Sequence, residues 1–283
     1  MKLKYHRLIL VLLSIIGIFI IDRVLLKTSK PRLWVGDPVL HFKHRPGVSL
    51  NWGEKFDNKP IKINSYGFHD NEFPEKKHEK EFRGLIIGDS IVMGHGVERN
   101  ETFTNQLEKL LSENLKSYDH YQIINAGVQG YSTFQYKEVL KRTIKYSPDI
   151  IIIGFCMNDV TEPYKKNRNY GGTGDFHGVI QSSNPIIAYI FNETGFGRLA
   201  VKINQKIKKQ FKSIKDLQRI ETYNVRKMSK NSQKKEVYKD AWEKVLSDLS
   251  DIYNISESKE IPILLMIFPR KFQINNKEFQ IPQ

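Results

Sequence analysis

From Arg83 onward, short apolar runs alternate with segments of helical period, and that alternation leaves few folds open to the chain. Leu85-Ile86-Ile87, Tyr121 to Asn125 and Ile150 to Phe155 are short, bounded by turn residues, and read as buried strands. Between them lie amphipathic helices. One carries Phe103, Leu107, Leu110, Leu111 and Leu115 as a single buried stripe, and the next aligns Tyr136, Val139, Leu140 and Ile144. Strands and helices in this rhythm are βαβ units, which build a parallel sheet covered by helices. A last helix, with Val237, Ala241, Val245, Leu249 and Ile252 in register, leads to a core strand from Ile261 to Phe268, closed by Pro269.

With 283 residues the chain can bury a sizeable core. Its 40% hydrophobic and 11% aromatic content is that of a folded protein. The single cysteine, Cys156, excludes an intramolecular disulfide and a Cys-rich zinc site. A formal charge of +14 favours anionic partners. The basic residues are scattered, however, and no nucleic-acid module accompanies them, so no nucleic-acid partner is expected. Thirteen Lys or Arg residues between Lys202 and Lys239 are spread around the helix, which fits a solvated or headgroup-facing insertion.

At the amino terminus, Lys2, Lys4 and Arg7 precede a charge-free run from Leu8 to Ile21, and Val24, Leu25 and Leu26 extend it beyond Asp22 and Arg23. Positive charge followed by an apolar run directs export with the amino terminus held inside. No small-x-small cleavage signal follows, so the segment is read as an uncleaved signal anchor holding the chain to a membrane through residues 8–26, with the remainder exported. Residues 31–80 are rich in Pro, Gly, Asn and aromatics, with turn signals at Pro46-Gly47 and Ser65-Tyr66-Gly67, and form an irregular extension. The organisation expected is therefore an anchor over 1–30, this extension, and one domain over 81–283 with a basic helical insertion around 200–236. Gly171-Gly172-Thr173-Gly174 lacks the Lys-Ser/Thr of a phosphate loop and is read as a plain loop.

The ends of the three strands carry the chemistry. Gly88-Asp89-Ser90 follows the first, Asn125-Ala126-Gly127 the second and Asn158-Asp159 the third, with Ser90, Gly127 and Asn158 separated by 37 and 31 residues. Open parallel sheets place their ligand crevice at the carboxyl ends of the strands, so the three segments should converge. A serine hydroxyl is a weak nucleophile until a base removes its proton and donors face the developing oxyanion. The Gly127 N–H and the Asn158 amide are donor candidates.

These segments resemble the first three blocks of the SGNH (GDSL) hydrolases, over roughly Arg83 to Pro269. The resemblance implies an α/β, three-layer, flavodoxin-like fold with a mostly parallel central sheet, incomplete at the C-terminus. It also implies that Ser90 is the acyl-accepting nucleophile, and that its own N–H, the Gly127 N–H and the Asn158 side chain form the oxyanion hole. Asn64-Ser65-Tyr66-Gly67-Phe68-His69-Asp70 and Glu72-Phe73-Pro74 resemble the lead-in of anchored, exported members. No metal or organic cofactor is implied.

Two departures stand out. Cys156 occupies a position usually held by Gly, with an effect expected on packing alone. The family's Asp-x-x-His, which supplies the general base, has no match: only fourteen residues follow Pro269, and His6, His41, His44, His69, His78, His95, His120 and His177 all precede the last strand. His95 and His177 are the histidines that could approach the site. The chain as it stands is expected to be nearly inactive. Its end in the polar Asn275-Asn276-Lys277 stretch reads as that of an incomplete product.

The function expected is a serine-dependent O-acyl esterase or acyltransferase. Its substrate would be an acylated envelope carbohydrate or another small ester. The alternative is a catalytically dead glycan- or lipid-binding protein of the same fold. A lipase acting on bilayer lipids ranks last, because every apolar residue reads as part of a core stripe.

Overall fold

The computed structural model describes residues 2–29, 31–160, 174–176, 179–182, 184–211 and 236–269. His177 and most of the basic stretch after Phe211 lie outside the described residues. The chain forms two compact units, one from Met1–Lys43 with Gly171–Leu217 and one from His44–Tyr170 with Gln218–Gln283.

The second unit is built on the expected alternation. Strands β5 (Glu81–Gly88), β6 (His120–Gly127), β7 (Ile150–Cys156) and β10 (Ile263–Phe268) form one parallel sheet in the order β10-β7-β5-β6. Helices α2 (Ser90–Met93), α3 (Phe103–Asn114), α4 (Thr133–Thr143) and α7 (Glu236–Glu257) connect or cover the strands. Successive strand residues point to opposite faces. On one face Ile86, Ile123 and Ile152 pack with Phe103, Leu107 and Leu111 of α3. On the other, Phe155 packs with Ala241, Val245 and Trp242 of α7. The sheet is thus sandwiched between helices, the three-layer arrangement expected.

The stripe on α3 is narrower than the sequence suggests, since Leu110 and Leu115 are exposed. At 100° per residue the buried face is centred between Thr104 and Leu111, and Leu110 lies over 90° away from it. Leu115 falls after the helix has ended in an extended residue. β10 is likewise less buried than a core strand: it is an edge of the sheet, and Leu264, Leu265 and Ile267 are exposed among the described residues.

Residues ahead of β5 are integral to this unit. Short strands β3 (Ser49–Asn51) and β4 (Pro60–Lys62) pair antiparallel, and the lead-in that follows buries Phe68, His69, Asp70 and Phe73. Arg83 on β5 is fully buried. Its guanidinium meets Glu81 at 2.6 Å and the carbonyls of Pro74, Glu75 and Tyr146 at 2.9–3.1 Å, so every branch of the fork is engaged.

The first unit contains α1 (Lys2–Thr28), a hairpin of β1 (Trp34–Asp37) and β2 (His41–His44), a hairpin of β8 (Gly174–Phe176) and β9 (Val179–Gln181), and helices α5 (Pro185–Glu193) and α6 (Gly195–Phe211). Tyr5–Thr28 is long and apolar enough to cross a membrane, with mean hydropathy 2.7 over its most apolar window and almost none of that window buried. Helices α5 and α6 expose Ile186, Tyr189, Ile190, Leu199, Ile203 and Ile207. Not every apolar residue is therefore part of a core stripe, and the ground on which bilayer lipids ranked last is removed.

Candidate active site

The register of the sheet aligns the three strand ends. Gly88 of β5 pairs with Gly127 of β6 on one side and with Gly154 of β7 on the other. β5 and β6 therefore end at one level, while β7 runs two residues further, its Phe155 and Cys156 pairing with Ile267 and Phe268 of β10. Glycine at these positions is a packing requirement: a Cβ on Gly88 or Gly154 would run into the side chain of Val92, and one on Gly127 into the backbone of Val92 and Met93. The helix behind Ser90 thus lies directly on the strand ends.

Asp89 caps that helix, its Oδ1 accepting from the Ile91 N–H at 2.8 Å. Its Oδ2 accepts from the Asn158 Nδ2 at 2.9 Å and from the Cys156 thiol at 3.4 Å. Gly94, at φ +77, ends the helix after a single turn in the left-handed region. The His69 Nδ1 lies 2.9 Å from the Met93 carbonyl and secures the same end. Ser90 is left half-buried at the first helical position. Its hydroxyl makes no hydrogen bond among the described residues.

Asn158 is held from both sides, since its Oδ1 is also in contact with Cys156 Sγ. The Cys156 thiol does more than fill space, since it reaches both Asp89 and Asn158, and the backbone at this position is also tied down. Its N–H donates to Asp159 Oδ2 at 2.9 Å, and Asp159 Oδ1 accepts the Tyr136 hydroxyl at 2.8 Å. Burial, then the Asp89 and Asp159 charges, hold the thiol far above its ordinary range, and the same causes raise the Tyr136 phenol. Asp89, Cys156 and Asp159 are the grouping of metal-ligand types found among the described residues. Each carboxylate already accepts hydrogen bonds and the thiol stays protonated, so the trio fits a hydrogen-bonded web better than a ligand set.

The Gly127 N–H donates to Asn125 Oδ1 at 3.1 Å. To face an oxyanion it would first have to be released by that side chain. Asn125 is fixed in turn by Thr104 Oγ1 at 3.0 Å and, through its own N–H, by Asp70 Oδ2 at 2.8 Å. Burial pushes the Asp70 carboxyl up to about 7, against the N–H bonds from Asn125 and Asn71 that lower it. Gly130, at φ +78, closes the loop that Gly127 opens.

The His95 N–H donates to the Ser90 carbonyl at 2.9 Å, but the ring packs edge-on against Trp52 at 4.5 Å and Phe56 at 5.0 Å. Its buried Nδ1 has no hydrogen-bond partner among the described residues, and burial, then Lys55, lowers its pKa. His95 is thus a packed ring rather than a base bonded to Ser90. His177, the other candidate, lies outside the described residues. Sequence reasoning singled out Ser90 and Asn158 but passed over Asp89, Tyr136 and Asp70; the Asp at the start of a helix was the available signal for Asp89.

Residues 86–243 match the GDSL-like lipase/acylhydrolase family, more than half of the chain. The chain belongs to this family. The matched span holds the end of β5 and all of β6 and β7, together with Ser90, Gly127 and Asn158. Solved structures similar to it include TesA, at 22% identity and TM-score 0.26, covering 32% of this chain and 57% of that one. Another is AlinE4, an SGNH-hydrolase family esterase, at 25% identity and TM-score 0.27, covering 32% of this chain and 50% of that one. The chain therefore spans between half and three-fifths of those proteins. None of the curated proteins compared with it matches.

Proposed function

We propose that this chain is an acylhydrolase working through an acyl-Ser90 intermediate on small O-acyl esters, an acylated envelope carbohydrate being the substrate class, while α1 holds it in a membrane with the rest exported. The observation that carries the reading is the 2.9 Å bond from Asn158 to Asp89, which ties the donor at the end of β7 to the cap of the helix that Ser90 begins. A nucleophile and an oxyanion donor built on rigid strand ends meet the first geometric requirement of acyl transfer. Gly127 completes the proposed hole once its N–H is released from Asn125. The net charge of +14 and the Tyr5–Thr28 segment support action on anionic, membrane-associated material.

One observation favours a second reading, a glycan- or lipid-binding protein. The Ser90 hydroxyl has no base hydrogen-bonded to it among the described residues. Release of acetate from a panel of acetylated glycans by the full chain, compared with Ser90→Ala, separates the two. Turnover lost in the variant supports the esterase, whereas binding without turnover supports the binder.

A further inference from the structure

Helices α5 and α6 form an elbow fastened to α1. The N–H of Phe196, at the start of α6, donates to Asp22 Oδ1 at 3.0 Å. Gly195 allows this approach, because a Cβ there would meet the Asp22 carbonyl, Leu25 Cβ and Leu26 N. The Arg198 guanidinium reaches Ser29 Oγ at 3.2 Å from the next turn. These attachments fall just past the charge-free run from Leu8 to Ile21. If that run occupies the hydrocarbon layer, the elbow sits where the chain leaves it.

The elbow also has two unlike sides. Val201 and Asn192 are buried against the unit, and Asn192 bonds both the N–H and the carbonyl of Ile180 on β9. Facing away are Ile186, Tyr189 and Ile190 on α5, spaced three and one apart, and Leu199, Ile203 and Ile207 on α6, each four apart. Both spacings put the side chains on one helical face. All six are exposed, Ile186 by 67% and Ile203 by 52%. Arg198 is turned inward, bonded to Asn192 and paired with Glu193 of α5, but Lys202 and Lys206 are exposed and the sequence of α6 includes no acidic residue. An exposed apolar stripe on a purely cationic helix is the pattern of a segment lying in the headgroup region of an anionic bilayer.

We propose that the α5–α6 elbow is a second membrane contact, lying in the interface of an anionic bilayer with its apolar stripe at the acyl boundary and its basic residues among the headgroups. The bilayer is preferred to a protein partner on two grounds. The helices that carry the stripe are fastened to a helix whose own apolar surface is bare, and the charge on α6 complements acidic lipid. The inference rests on α1 being a membrane span, and the test keeps the two apart.

The full chain is placed in lipid nanodiscs containing acidic phospholipid, with an environment-sensitive fluorophore on a cysteine introduced at Ile203→Cys, Leu13→Cys or Lys109→Cys. Cys156 is buried and does not compete for label in the folded protein. Position 109 lies on an exposed part of α3 and gives the aqueous reference. Reduction by dithionite is expected to be on the order of tenfold slower at 203 and at 13 than at 109, with brominated lipid quenching the first two. Protection at 13 with full aqueous reactivity at 203 overturns the elbow contact while leaving the anchor intact. Aqueous reactivity at 13 overturns the anchor, and the elbow proposal with it.

Discussion

Asn158 gives an amide hydrogen to Asp89 Oδ2 at 2.9 Å, and the same carboxylate caps the helix that begins at Ser90 through the Ile91 N–H. One side chain thereby fixes the separation between the proposed nucleophile and a proposed oxyanion donor carried on another strand. Its two oxygens have different tasks: Oδ1 holds the helix and Oδ2 holds Asn158.

Replacing Asn158 removes the donor and leaves Asp89 Oδ2, among the described residues, with only the weak thiol bond. In Asn158→Ala, kcat for an activated aryl ester should fall by about 10²–10³ with little change in KM, the loss measured when one oxyanion donor is removed. A rise in KM alone, with kcat unchanged, would place Asn158 in ground-state binding.

Gly127→Ala tests how closely the helix behind Ser90 rests on β6. The new methyl would meet Met93 N and the Val92 carbonyl carbon, which are backbone atoms unable to swing aside. The variant should lose both activity and thermal stability, because α2 must move as a body. Full stability and activity together would show that this contact is loose.

Asp70 should make stability depend on pH in a direction unusual for a carboxylate. Folded Asp70 keeps its proton up to about 7, while the unfolded side chain loses it near the ordinary 3.8. The folded state therefore binds more protons between those values, and stability falls as pH rises through them. His44 opposes this, since burial pushes its folded pKa from 6.5 down to about 3, so its contribution rises with pH over that interval. Comparing Asp70→Asn with the parent at each pH subtracts the His44 effect. In urea unfolding the variant should gain on the parent from about pH 4 to pH 7, by on the order of 2–4 kcal/mol in all, and then run parallel. A pH-independent difference would rule out titration of Asp70 in that range.

What could be read from the sequence, and what could not, divides by the range of the interactions. Strands β5, β6 and β7 and helices α3, α4 and α7 were legible because periodicity is local, and the position of Ser90 and Asn158 just past strand ends because parallel strands deliver their carboxyl ends to one edge. Leu110 was misplaced because a 3.6-residue period fixes a face only to within a side chain or so. Asp70 was seen only as part of the lead-in, and its bond to Asn125 gave no signal because the two are 55 residues apart. The joining of Asp22 to Phe196 spans 174 residues, and no local pattern announces such a contact. Cys156 looked like a packing change because the bond from its thiol to Asp89 exists only once β5 and β7 are paired.

The buried Arg83–Glu81 pair gives a stability prediction away from the site. Arg83→Leu leaves the Glu81 carboxylate buried without its cation and the carbonyls of Pro74, Glu75 and Tyr146 without their donor. Breaking a buried pair from one side costs about 3–5 kcal/mol, so the variant should unfold at markedly lower urea, with the largest loss of protection around β5 in hydrogen exchange. A change under about 1 kcal/mol would mean that water replaces the guanidinium.

Whether Ser90 is the reactive serine is read out by fluorophosphonate labelling of the full chain followed by peptide mass spectrometry. The probe forms a covalent bond only with a serine whose proton can be drawn off as the bond forms. The adduct should appear, slowly, on the peptide containing Gly88-Asp89-Ser90, and Ser90→Ala should abolish it. No adduct, or an adduct on another residue that survives in Ser90→Ala, would contradict the account.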